Sequence, residues 1–281
     1  MTPNIEPVPP QSDISGDESS RPRFPGGELT PVEVRELWFF VHGDVMEGGI
    51  REQLRAAFGL CPRHTWAYAV VEIELWQFGS GPRGGHQPFD VCVLYEDLLS
   101  TVADRLTHHR IVLDPAPERK LRPTASCRVC DAVNGPGNAP ALTRAGYAGS
   151  DTTTLVAEAN SLQFTMAWLR DTEQVWRSRA CPRCVTDDPQ SDPSTSAAES
   201  PRQSGLCRLH LIDSAPVDSD TVQDVIRTLQ VLRERLVLLT ESMTQRGSPP
   251  SSEVDAAWIQ TLGWFAGWQL PAAYLRTTDD G

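Results

Sequence analysis

Six of the seven cysteines and two of the six histidines fall in pairs whose members are separated by two residues. The pairs are Cys61-Pro62-Arg63-His64, Cys127-Arg128-Val129-Cys130, Cys181-Pro182-Arg183-Cys184 and Cys207-Arg208-Leu209-His210. Thiolate sulfur and neutral imidazole are the donors that tetrahedral Zn²⁺ accepts, and this spacing lets a tight turn or one helical turn aim both at a single ion. Four pairs supply eight donors, enough for two closed Cys₃His sites and hence two zinc ions per chain. Closed sites leave no position for a water, so the pattern points to structure before catalysis. Taken in chain order, Cys61, His64, Cys127 and Cys130 form one site and Cys181, Cys184, Cys207 and His210 the other. An interleaved alternative joins Cys127 and Cys130 to Cys207 and His210, and spacing alone leaves both open.

Each pair encloses an arginine: Arg63, Arg128, Arg183 and Arg208. A Cys₃His zinc site carries a charge of about −1, which neighbouring guanidinium groups would stabilise. Pro62 and Pro182 directly follow a cysteine and suit the first position of a helix, placing the sulfur at a helix N-terminus where the dipole favours thiolate.

The segments that must carry these donors read as mostly helical. Thr30 to Phe58 predicts two helical pieces interrupted near Gly43 and at Gly48-Gly49. His64 to Phe78 is free of Gly and Pro. Val71, Ile73 and Leu75 alternate there with Glu72 and Glu74 as in a strand, but the length favours a helix. A glycine-rich loop spans Gly79 to Pro88. Leu94, Leu98, Val102 and Leu106 mark a helical stripe, and proline and glycine make 114–150 a long loop. Leu155, Ala159, Leu162, Met166, Leu169 and Trp176 predict one helix with a narrow buried seam, capped by Ser150 or Asp151. Val222, Ile226, Leu229, Leu236, Leu239 and Met243 predict another over 220–244. A last helix runs from Glu253 to about Gln269, ahead of Pro271. Residues 256–275 carry no charge, but Gln260, Thr261, Gln269 and Pro271 make a poor membrane span and a good buried terminal helix.

The chain has 281 residues, 40% apolar and 22% charged, with a net charge of −12. That acidity disfavours general nucleic-acid binding and adhesion to an anionic membrane. Part of it lies in two polar segments, 1–30 and 185–205, whose composition predicts a disordered tail and a disordered linker. They divide the chain into a helical zinc-binding region, 31–184, and a second knuckle with helices, 206–276, packing on the first. The first thirty residues contain no apolar leader segment, so a reducing cytoplasm is expected, where paired cysteines are metal ligands or redox groups. The seventh cysteine, Cys92, sits among apolar neighbours as a buried thiol. His108 and His109 fit a helix end, and His42 with Asp44 lacks a third catalytic partner. Neither a phosphate loop nor HExxH or GxSxG occurs.

GLCxxH occurs twice, as Gly59-Leu60-Cys61-Pro62-Arg63-His64 and Gly205-Leu206-Cys207-Arg208-Leu209-His210. With Cys181-Pro182-Arg183-Cys184, the chain resembles an uncharacterised bacterial family of helical zinc-knuckle proteins built on repeated CPxC and GLCxxH motifs. Leu94-Tyr95-Glu96-Asp97-Leu98-Leu99 and the segment 253–268 look similar to that family's pattern. A CPxC expected before the first GLCxxH is absent, Arg21-Pro22-Arg23-Phe24 standing in that region. The resemblance implies fold and metal rather than activity. The expectation is a mainly α protein stapled by two Cys₃His zinc sites, acting without catalysis as an interaction, adaptor or regulatory module with a protein partner. Alternatives are a thiol-based redox sensor that releases zinc on oxidation, and a zinc-dependent hydrolase with an incomplete site.

Overall fold

A computed structural model of the protein describes residues 23–41, 47–77, 85–107, 116–134, 151–186, 205–214, 216–245 and 249–279. Every regular element among them is a helix. The first four are α1 (Pro31–Val41), α2 (Gly48–Ala57), α3 (Pro62–Leu75) and α4 (Phe89–Thr107). Then follow α5 (Pro117–Lys120), α6 (Arg128–Asn134), α7 (Thr152–Ser161), α8 (Gln163–Asp171), α9 (Glu173–Arg177) and α10 (Pro182–Thr186). The chain closes with α11 (Arg208–Asp213), α12 (Ser219–Thr244), α13 (Ser252–Asp255), α14 (Ala257–Ala266) and α15 (Gln269–Asp279).

Two helices form the interior. Every residue of α3 from His64 to Leu75 is buried, and so is every residue of α14. Helices buried all round need no polar face, which explains why α3 shows no helical stripe in its sequence. Its alternation of apolar residues with Glu72 and Glu74 is not a strand signal. Glu72 accepts hydrogen bonds from the Asp90 and Val91 amides at 2.6 and 3.0 Å. Glu74 accepts from the Thr165 amide and hydroxyl at 2.8 and 2.7 Å and from the Phe164 amide at 3.2 Å. Two glutamates from the end of one helix thus satisfy the orphan N–H groups that open α4 and α8. Around this interior, α1, α7 and α8 cover α3, while α12 lies along α4 and both touch α14.

Several boundaries differ from the sequence reading. Gly48 and Gly49 open α2 instead of interrupting a helix; Glu47 caps it by accepting from the Gly49 amide. The expected loop 114–150 contains α5 and α6 in its described part. The single helix expected over 151–176 is three, broken at Leu162, which takes a left-handed conformation (φ 53°), and at Thr172. The seam still reaches the core, since Ala159, Leu162, Leu169 and Trp176 are buried; Glu74 starts the new helix after the break. Asp151, one of the two expected caps, accepts from the Thr153 amide at 3.0 Å. Gly267 (φ 80°) separates α14 from α15, and Pro271 lies in the first turn of α15. Proline lacks only an N–H that this turn leaves unbonded anyway, so it starts a helix here. The uncharged stretch is a buried helical pair, and no helix among the described residues is long and apolar enough to cross a membrane. Phe24 and Leu29, assigned by composition to the tail, are 3% and 1% exposed.

Candidate metal centres

All four ligand pairs share one local design. Cys61 caps α3 with φ −66° and ψ 165°, and Cys207 caps α11 with φ −69° and ψ 163°. Cys127 and Cys181 likewise stand immediately before α6 and α10. The second donor of each pair then falls on the first turn of the helix, three residues on, facing back toward the first. Proline after cysteine is thus one way to start a helix that all four pairs start.

The structure gathers the eight side chains into two groups in chain order, and the donor atoms of each group lie within 4.8 Å of one another. In the first, His64 Nδ1 is 3.3 Å from Cys61 Sγ, 3.5 Å from Cys127 Sγ and 3.3 Å from Cys130 Sγ. Cys130 Sγ is 3.6 Å from Cys61 Sγ. In the second, His210 Nδ1 is 3.3 Å from Cys181 Sγ and 3.4 Å from Cys184 Sγ and from Cys207 Sγ. Cys184 Sγ is 3.7 Å from Cys207 Sγ. A tetrahedron with metal–sulfur bonds of about 2.3 Å and metal–nitrogen bonds of about 2.0–2.1 Å has edges of about 3.8 Å (S–S) and 3.6 Å (S–N). The distances in both groups lie within about 0.3 Å of those edges, and each group could hold a metal ion.

Packing three thiols together concentrates charge on one sulfur. Hydrogen bonding from Cys61, with His64 contributing, draws the Cys127 thiol down to about 3, and the same bond pushes Cys61 up. Cys181 is lowered by hydrogen bonds from Cys184 and Cys207; Cys184 is pushed up in return, and Cys207 rises to about 11. A second and third thiolate in such a space need a cation between them.

Glu33 supports the first group and was not singled out from the sequence. It closes a capping box on α1: its Oε2 accepts from the Thr30 amide at 2.8 Å, while Thr30 Oγ1 accepts from the Glu33 amide at 3.2 Å. Its Oε1 also meets His64 Nε2 at 3.1 Å and Arg63 Nε at 2.7 Å. An imidazole that ligates through Nδ1 carries its proton on Nε2, and a carboxylate at Nε2 fixes that tautomer. Burial works to raise the Glu33 carboxyl, but hydrogen bonds from Arg63 and Thr30 outweigh it and hold it at about 2. The signal was present in the sequence as Thr30-Pro31-Val32-Glu33.

The enclosed arginines mainly clamp backbone. Arg63 donates to the carbonyls of Pro25, Gly27 and Glu28 at 3.0–3.2 Å, drawing residues 24–29 onto α3. Arg208 is 4% exposed and donates to Phe265 O at 3.1 Å and Leu121 O at 3.0 Å. Its guanidinium also lies 5.1 Å from the centre of the Phe58 ring, so the second knuckle is tied to the turn that leads into the first. Burial lowers Arg208 to about 10, leaving it charged at neutral pH. Arg128 reaches Gln53 at 3.4 Å. At the second group, the turn at Gly267 lets the Trp268 amide favour the Cys184 thiolate.

Of the remaining candidates, Cys92 is fully buried, and burial keeps it protonated. His42, Asp44, His108 and His109 lie outside the described residues, as does most of the glycine-rich loop. Cys181 and Cys207 are 1% exposed, whereas Cys61, Cys127 and Cys130 are half-buried, so the first group is the more accessible one. Within the second group Cys181 is buried where α15 packs against α10, while Cys184 is half-buried. Comparison with protein-family models, curated proteins and solved structures finds no match for the chain.

Proposed function

We propose that both groups are structural zinc sites and that the chain is a non-enzymatic helical module acting through a protein partner. The carrying observation is that each group offers four protein donors at tetrahedral edge lengths, which leaves no position for substrate or water. Each site also joins segments far apart in sequence, Cys61 to Cys130 and Cys181 to His210, so metal binding and folding are linked. The donor set, three thiolates and an imidazole, suits zinc above the other divalent ions. Membership of the bacterial zinc-knuckle family that the repeated motifs resemble, and a cytoplasmic location, belong to this proposal. The purified protein should hold two zinc ions per chain, with X-ray absorption giving a mixed sulfur–nitrogen shell and no water. Chelation should unfold it cooperatively. Full helical circular dichroism after complete metal removal counts against the proposal.

A second reading, redox sensing, has one specific support: the half-buried Cys61, Cys127 and Cys130 are accessible enough to be oxidised. Zinc release from the first site at sub-millimolar peroxide supports it, and inertness there removes it. A zinc hydrolase requires a three-ligand site, which neither group resembles.

A further inference from the structure

A cavity of about 500 Å³ adjoins the second Cys₃His group, walled in part by Leu206, Cys207 and Pro182. Its size lies within the range of small-ligand sites. The buried rings of Trp264 and Trp268 give it an apolar wall. Arg179 and Arg227 are exposed and Arg235 half-buried along its lining.

The charged groups of this lining are all guanidinium donors. The Ser178 hydroxyl donates to Val175 O and the Thr228 hydroxyl to Asp224 O, both at 2.9 Å, so each is engaged with its own helix. Among the described lining residues there is no carboxylate. Arg227 is paired with Asp224 at the edge, while Arg179 and Arg235 have no carboxylate partner among the described residues. Gln260 is 4% exposed and lines the cavity, and its Nε2 has no hydrogen-bond partner among the described residues.

We propose that this cavity binds a small organic anion with a planar apolar body. The anion would pair with Arg235 and Arg179, and the flat body would lie against the apolar wall to which Trp264 and Trp268 contribute. Guanidinium forks suit a carboxylate and a phosphate alike. The site differs from the metal centres in donors and occupant, although Cys207 contributes to both walls.

Calorimetry on the zinc-loaded full chain tests this with indole-3-acetate and 1-naphthyl phosphate as planar anions. Indole-3-acetamide and 1-naphthol serve as neutral counterparts, and acetate and inorganic phosphate as anions without a flat body. At least one planar anion should bind one to one with Kd below about 1 mM, and its neutral counterpart at least about tenfold more weakly. Preference between the two identifies the acid group. Arg235→Glu and Val231→Trp, the latter at a 45% exposed position on the lining, should each weaken binding at least about tenfold. Zinc content and helicity should stay at wild-type values in both. The proposal is overturned if neither planar anion binds below about 5 mM, if the neutral compounds bind equally well, or if both variants leave Kd unchanged.

Discussion

Glu33 offers the sharpest test of how the metal centres are built, since one carboxylate serves a helix start, an arginine and an imidazole. Glu33→Ala removes the capping box, worth about 1 kcal/mol. It also leaves Arg63 without its anion. Breaking a buried pair costs about 3–5 kcal/mol, but Arg63 keeps three carbonyl acceptors and its side chain is 29% exposed, so about 2 kcal/mol is expected. The sum is about 3 kcal/mol of folding stability. Glu33→Gln keeps an acceptor for the Thr30 amide and should lose only the charge part, about 2 kcal/mol. Loss of the carboxylate at His64 Nε2 should lower zinc affinity of the first site about 10–100-fold. Competition against a chromophoric chelator should therefore show two well-separated zinc steps in Glu33→Gln, the tighter one matching wild type. The carboxyl titrates at about 2 when folded against 4.5 as a free side chain, so its contribution is complete above 4.5 and lost only as pH falls toward 2. The stability gap between wild type and Glu33→Gln should accordingly be flat from pH 6 to 8. Unchanged affinity at both sites, or equal weakening of both, would refute the carboxylate–imidazole linkage.

Gly59 has φ 90°, and a Cβ there would lie 2.7 Å from the Tyr95 hydroxyl, whereas the equivalent Gly205 faces open space. Urea melts should show Gly59→Ala destabilised by roughly 2–3 kcal/mol and Gly205→Ala within about 0.5 kcal/mol of wild type. Arg208→Met should cost about 2–3 kcal/mol by leaving the carbonyls of Leu121 and Phe265 unpaired, read as a lower melting temperature with both zinc ions retained. Glu74→Ala should cost about 2 kcal/mol and speed amide exchange at Phe164 and Thr165, its two backbone partners. Cys127→Ser and Cys207→Ser should each reduce bound zinc from two ions to one, and a chain that keeps two would sink the assignment of donors to sites.

The eight candidate ligands were legible because donor type and a two-residue spacing are local properties, and helical caps turn that spacing into convergence. Their partition was not legible: it depends on the starts of α3 and α6 meeting in the fold, which no spacing encodes. Glu72 and Glu74 gave the run a strand-like alternation for a related reason, although its length rightly favoured a helix. Read along the chain they look like the solvent side of a strand, but their partners at residues 90 and 165 are supplied by other helices. The break at Leu162 was hidden because its two flanking helices keep a common buried face, so the apolar spacing runs through it. Arg208 read as a counter-charge for sulfur, and only its depth in the fold makes it a clamp on Phe265 and Leu121. The long helix α12 was legible almost to the residue, having one buried and one exposed face.

The wholly buried helix α14 is synthesised well after the first Cys₃His group. At about 5–20 residues per second, its final residue follows Cys130 by roughly 7–27 s, ample time for the first Cys₃His group to close on a metal ion if it binds one. During that interval Trp66, which in the finished protein donates to Gly267 O at 2.9 Å, has no lid, and the inner faces of α3 and α4 are bare. With a metal in the first group, the growing chain would be a shell awaiting its centre, exposed to chaperones and proteases until α14 arrives. A stop codon between residues 131 and 256 would release that shell, so truncations just before α14 should be as damaging as much earlier ones.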